Sequence, residues 1–222
     1  MSTMLEELWN SNTIYLSIVG WKLAQKVNED TPWATKREYE TSDWAKKVKF
    51  EKYYKWVTWL IKGLEFRSTD FGEQFVITLY KEWQEVKISM PTDSNYFTDF
   101  AKKLPKINLD KEIRISSFEF ESDKGKKVKW FFISQDGVKV ENDYYFDKDK
   151  KKTRNWMPEV DKKESKNYDK DDWKMFFLKV KKFLKSEVEK KAKDIKPISH
   201  IEELPWDEKF DDEVSVEDLP FN

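Results

Sequence analysis

Cysteine is absent from the 222 residues, and histidine occurs once, at His200. Disulfides are therefore excluded, as is a zinc site built on Cys or on several His. A thiol nucleophile is missing too, and a histidine general base would have to be His200. Glycine is scarce, with five residues. Arginine is scarce among the bases: Arg37, Arg67, Arg114 and Arg154 stand against 38 Lys. Arginine forks read guanine edges and clamp phosphates in pairs of bonds, whereas lysine acts as a mobile point charge. A lysine-dominated chain suits sequence-tolerant attraction to a polyanion, although an A·T-rich genome would produce the same bias. Long apolar runs are also lacking. The chain opens MSTMLEELWN, with acids where a signal peptide carries bases, and the run from Ile14 to Val19 is too short for a signal core or a membrane span. These absences predict a soluble protein of a reducing, cytoplasmic compartment with no membrane association. No cofactor and no metal site is expected.

Aromatic rings, by contrast, are plentiful: 16 Phe, 11 Trp and 9 Tyr. Each can bury roughly 150–250 Å², so a sizeable core is available although 38% of the residues are charged. The length allows one domain with appendages or two small ones.

Charge is unevenly spread. Residues 201–222, IEELPWDEKFDDEVSVEDLPFN, hold nine Asp/Glu against Lys209 alone, a net charge of −8. The remaining residues hold 41 basic against 34 acidic groups, or +7. Within the tail, Glu-Glu-Leu-Pro-Trp at 202–206 is echoed by Glu-Asp-Leu-Pro-Phe at 217–221, each copy setting a ring behind a proline and carboxylates.

Along the chain, residues 13–27 predict a hairpin about Gly20, and residues 28–46 a polar loop or flap. Residues 47–66 form one long β-rich stretch with a bend at Gly63. A turn closed by Gly72 leads to a strand in which Phe75, Ile77 and Leu79 alternate with Gln74, Thr78 and Tyr80. Another strand follows, with Val86, Ile88 and Met90 inward, ending at Pro91. Thr92 or Ser94 caps a helix carrying Tyr96, Phe97, Phe100 and Leu104, which Pro105 ends. Strands at 111–121, 128–134 and 138–146 are separated by turns at Gly125 and Gly137. Beyond a charged linker, Asp169 caps an amphipathic helix with Trp173, Phe177, Val180, Leu184 and Val188 in one stripe. Five segments result: an N-terminal hairpin and flap (1–46), a core (47–147), a linker (148–168), the helix (169–196) and the acidic tail (197–222).

Three strands, a helix and two or three strands make up the order of the five-stranded oligonucleotide/oligosaccharide-binding (OB) barrel. The expected fold is therefore mainly β: such a barrel with an N-terminal hairpin, one inter-strand helix and a C-terminal helix. Its strands interleave rings with lysines, at Tyr53, Tyr54, Trp56, Trp59 and Lys62, and again at Lys127, Lys129, Trp130 and Phe132. Single-stranded nucleic acid binders use this mixture, since a base stacked on a ring is worth about 1–3 kcal/mol and phosphates track a basic groove. Tyr54, Trp56, Lys62, Arg67, Gln74 and Thr78 are candidate contacts, together with Tyr80, Lys87, Arg114, Lys129, Trp130 and Phe132. Each ring can equally be core; Phe75, Phe100 and Phe118 are read as core, whereas Trp56 and Trp130 stand evenly between the two roles.

Two stretches carry a family resemblance. The terminal EDLPF resembles the acidic, Pro-Phe-ended tails of bacterial and phage single-stranded DNA-binding proteins. Over about residues 13–146, GLEFRSTDFGEQFVITL, ISMPTDSNYFTDFAKKLPKINLDKEIRIS and WFFISQDGVKV resemble the OB barrel of the phage proteins. The resemblance implies sequence-independent binding and protection of single-stranded DNA in phage replication, recombination and repair, without catalysis. It further implies that the tail docks replication and recombination proteins through Glu217, Asp218, Leu219, Pro220 and Phe221, in the host cytoplasm. Here Asn222 follows Phe221, so the free carboxylate lies one residue further on. RNA binding and a protein-interaction module remain as alternatives, while a metal nuclease built on Asp143 and Asp147 has no spaced carboxylate motif behind it.

Overall fold

The computed structural model describes residues 13–40, 45–121, 125, 127–144, 157–160 and 164–196. The acidic tail and most of the expected linker lie outside the described residues. Among the described residues, ten strands join in one open sheet ordered β10-β9-β8-β5-β6-β7-β1-β2-β4-β3. They are β1 (Thr13–Val19), β2 (Lys22–Val27), β3 (Thr35–Glu40), β4 (Lys46–Tyr54), β5 (Val57–Thr69), β6 (Gly72–Lys81), β7 (Gln84–Pro91), β8 (Ile113–Glu121), β9 (Lys127–Gln135) and β10 (Val138–Lys139). Two helices accompany them, α1 (Asn95–Lys103) and α2 (Lys170–Ala192).

The closed five-stranded barrel is thereby corrected. Strands β5, β6 and β7 form an antiparallel meander, α1 follows, and β8 returns to pair with β5 while β9 pairs with β8. The ring stays open because β7 gives its second edge to β1, in parallel register from Thr13↔Glu85 to Ser17↔Ser89. The outer edge of β9 is occupied as well, by the short β10 at Ser134–Gln135 and by side chains of α1 at Phe131. Asp99 of α1 accepts the Phe131 backbone N–H at 2.8 Å, and the Lys103 ammonium donates to the Phe131 carbonyl. Lys103 is itself paired to Asp99 at 2.6 Å.

Three further expectations change. Residues 28–46 are not all loop, because β3 pairs with β4 from Thr35↔Glu51 to Glu40↔Lys46. The stretch 47–66 is two strands, broken at Lys55–Trp56, and β4 belongs with β2 and β3. The last strand shrinks to Val138–Lys139 because the chain then turns toward α1, where the Asp143 N–H donates to the Lys102 carbonyl.

Other expectations hold. Gly20 turns the first hairpin with a φ of 60°. Gly63 follows a bulge after Ile61, where a Cβ would come within 3.1 Å of the Thr78 Cβ. The Ser94 hydroxyl caps α1 by accepting from the Phe97 N–H. Asp169 and Asp172 form a reciprocal capping box at α2.

The core lies on one face of the curled sheet. Phe75, Ile77 and Leu79 of β6 meet Val86, Ile88 and Met90 of β7 there, beneath Phe97 and Phe100 of α1. Helix α2 docks from Val180 onward. Leu184 and Val188 are buried, and Lys185 pairs with Glu73 and lies over the Phe66 ring. Its first turns stack Trp173 on Phe177 and set it edge-on to Tyr168, and Phe177 stays exposed.

Candidate nucleic-acid interface

Alternation on β8 sends Ile113 and Ile115 into the core and Arg114, Ser116, Phe118 and Phe120 to the opposite face. On β9, Phe131 and Ile133 are buried, which places Trp130 and Phe132 beside them on that opposite face. The register sets Phe118 against Trp130 and Ser116 against Phe132. The result is a ring cluster. Phe118 and Trp130 stack at 5.9 Å, Phe120 meets Trp130 edge-on at 4.9 Å, and Phe132 lies 6.4 Å from Phe118. Phe118 is 41% exposed and Phe120 47%, so Phe118 is not the core residue expected of it.

Arg114 continues this surface toward β5. Its guanidinium sits 4.0 Å above the ring of Trp56, which is 48% exposed. No ion pair among the described residues engages Arg114. The row Ser134–Arg114–Thr58 passes to Leu60–Tyr80–Glu85, and Thr78 pairs with Lys87 one step along. Trp56, Tyr80, Thr78, Lys87, Arg114, Trp130 and Phe132 therefore share one face.

Of the other expected contacts, Gln74 and its partner Arg67 keep to the Thr78 side of the ladder but lie at its far end, and the rest fall elsewhere. Tyr54 lies opposite the buried Leu23 on the core side, and its hydroxyl donates to Gln25 at 2.7 Å. Burial pushes that phenol up from its ordinary value. Lys129 shares the Phe131 side of β9 and lies 3.6 Å from Glu119. Lys62 is the unpaired residue of the β5 bulge. Arg67 and Gln74 pair with each other near the β5–β6 turn, and Arg67 holds Glu65 at 2.5 Å. Glu85 holds Lys87 at 2.9 Å. Arg67, Lys87 and Lys129 are thus matched locally, whereas Arg114 and Lys62 enter no ion pair among the described residues. The tail residues 217–221 lie outside the described residues.

Curling of the sheet brings a part that sequence reasoning missed up to β8. The Ser117 hydroxyl donates to the Trp21 carbonyl at 2.9 Å. The buried Tyr96 hydroxyl lies 3.0 Å from the Gly20 carbonyl and 3.1 Å from that of Phe118. Burial first, and Glu119 second, push this phenol up to about 12. Beside this junction, the Lys22 ammonium lies 5.0 Å from the Trp21 ring centroid and 4.9 Å from that of Tyr53.

Among the described residues, no group of three or more His, Cys, Asp or Glu is placed to hold a metal ion. Asp143 lies 3.7 Å from Lys106, and Asp147 is outside the described residues. No helix among the described residues is long and apolar enough to cross a membrane. No protein-family model matches the chain, and no curated protein or solved structure matches it either.

Proposed function

We propose that the protein binds single-stranded DNA without sequence preference, through the face of β5, β8 and β9 that carries Trp56, Arg114, Phe118, Trp130 and Phe132. The half-exposed Phe118–Trp130 stack beside the Arg114–Trp56 pair carries this reading. Apolar rings exposed on a sheet face cost free energy unless they meet a partner, and bases supply flat apolar partners with phosphates attached. Arg114 adds a cation that no carboxylate among the described residues neutralises, suited to a phosphate or to stacking on a base. No reaction is assigned to the protein. The chemistry proposed is coating and protection of strands exposed during phage replication, recombination and repair.

The acidic tail complements this role. At −8 against a +7 body, it competes with the DNA backbone at an effective concentration on the order of millimolar. Through Glu217–Phe221 it recruits partner proteins. Tryptophan fluorescence titrated with oligo-dT, duplex DNA and RNA at two salt concentrations tests the proposal. Quenching by oligo-dT above that by duplex is expected, and deletion of 201–222 should tighten it. Absence of quenching in both proteins would leave the rings to a protein-interaction role, and stronger quenching by RNA would reassign the ligand.

A further inference from the structure

Trp21, Lys22 and Tyr53 lie on strands and a turn that belong to none of the elements bearing the proposed interface. In the sheet order, β8 and β2 are separated by β5, β6, β7 and β1. Curling nevertheless brings the Trp21 turn against β8 through the Ser117 bond and the shared Tyr96 hydroxyl. Trp21 thus adjoins the strand that presents Phe118, at Ser117 on that strand's other side.

The platform at Trp21 is held from below. Tyr53 donates its hydroxyl to Glu51 at 2.8 Å, and Glu51 also accepts two bonds from Arg37, both at 2.7 Å. Glu51 is 3% exposed, so a buried carboxylate anchors the hydroxyl of the partly exposed Tyr53 ring. Two bonds from one guanidinium and one from a phenol satisfy the carboxylate, and the Arg37 contact holds its pKa below the usual range. Above the network, the Lys22 ammonium sits between the anchored tyrosine ring and a half-exposed tryptophan. Rings that offer a face, with a cation between them, are what one base and its phosphate require.

We infer that Trp21, Lys22 and Tyr53 form a second nucleotide-stacking platform for single-stranded DNA, which extends the path from the Phe118–Trp130 cluster across the β1–β2 turn onto β2 and β4. This inference rests on the proposed single-strand binding. It assigns the N-terminal strands a share in the ligand, beyond their role in filling the edge of β7. A short strand then occupies the β8–β9 cluster alone, whereas a longer one reaches Trp21 as well.

The experiment compares full-length protein with Trp21→Ala and Lys22→Gln variants, titrated with a short oligo-dT and with one several times longer. Trp21 is a half-exposed turn residue, so its replacement leaves the core intact, and thermal melting checks the fold. Expected is about a ten- to hundred-fold loss of affinity for the long strand in Trp21→Ala, with short-strand affinity unchanged. Lys22→Gln should lower the salt dependence of long-strand binding. Ultraviolet cross-linking of wild-type protein to a long iododeoxyuridine-containing strand should label Trp21 or Tyr53. Equal affinities for both lengths in wild type and variants, with no label at either ring, would overturn the platform while leaving strand binding in place. Failure of the wild-type protein to bind either strand would overturn both proposals.

Discussion

Phe118 and Trp130 face each other across the β8–β9 ladder with ring centroids 5.9 Å apart and planes 17° from parallel. The pair lies on the solvent side of the hairpin, and the next residue of β9, Phe131, is fully buried. A stacked pair left half open to water presents a flat surface wider than one ring. It is the centre of the proposed interface, and its position depends on how β9 is held.

Removing a ring from this pair should weaken binding more than folding. Trp130→Ala is expected to lower oligo-dT affinity by about 1–3 kcal/mol, the value of one stacked base. The loss of ring-to-ring contact should cost the fold about 0.5–1.5 kcal/mol. Parallel fluorescence titrations and urea denaturation separate the two. A binding loss no greater than that from an exposed ring elsewhere, such as Phe71→Ala, would remove the pair from the interface.

Arg114 should report on the phosphate backbone. Its guanidinium covers Trp56 at 4.0 Å, and both lie along the same path. Arg114→Gln is expected to lower the slope of log affinity against log salt by about 0.7 for a single strand. Arg114→Lys should restore the slope without restoring the affinity, because an ammonium lacks the planar face that stacks. Titrations at several salt concentrations measure both quantities.

The edge of β9 supplies a test of positioning. Asp99 and Lys103 bind the N–H and carbonyl of Phe131, which lies between Trp130 and Phe132. They do at this point what a neighbouring strand would do. Asp99→Ala leaves the buried Lys103 ammonium without its counter-charge, though still bonded to the Phe131 carbonyl, and the Phe131 N–H without an acceptor, at a cost of about 2–4 kcal/mol. The expected signature is a fall in melting temperature together with changed Trp130 fluorescence in the folded protein. An unchanged emission spectrum would mean that β9 holds its rings without the clamp.

Much of this arrangement was legible in the chain because it rests on local pattern. Alternation at 73–80 assigns Phe75, Ile77 and Leu79 to the core, and Ser94, Gly72 and Asp169 mark their turn and caps by residue chemistry. The same alternation applied at 113–120 puts Phe118 outward once Ile113 and Ile115 point inward, so that ring was recoverable from the sequence. Strand partners were not. Nothing local to Thr13–Ser17 announces a parallel pairing with residues 85–89, and this pairing is what leaves the sheet open. The Gly20–Trp21 turn and β8 are likewise brought together by curling, which no pattern within either segment encodes. Counting bases overstated the free charge among the candidate contacts, because Glu65, Glu85 and Glu119 pair with Arg67, Lys87 and Lys129.

Alkaline pH should loosen the junction between β1–β2 and β8. The Tyr96 hydroxyl is buried between the Gly20 and Phe118 carbonyls, and its pKa rises from 10.0 to about 12. Tyr144, stacked edge-on against Phe183 of α2, rises likewise to about 12 through burial, with Glu187 and Asp143 adding to it. In both cases the folded chain keeps the proton that the unfolded chain releases. The stabilisation is therefore complete below the unfolded value near 10 and is lost as pH climbs through the folded value near 12. Denaturant midpoints should fall across that window. Tyr96→Phe should flatten part of the fall, at the expense of the two carbonyl contacts at neutral pH, and Tyr144→Phe should flatten a separate part. Because Tyr96 joins the Gly20 carbonyl, beside Trp21, to that of Phe118, the Tyr96→Phe protein should also lose the affinity advantage of long strands over short ones, while the Tyr144→Phe protein keeps it.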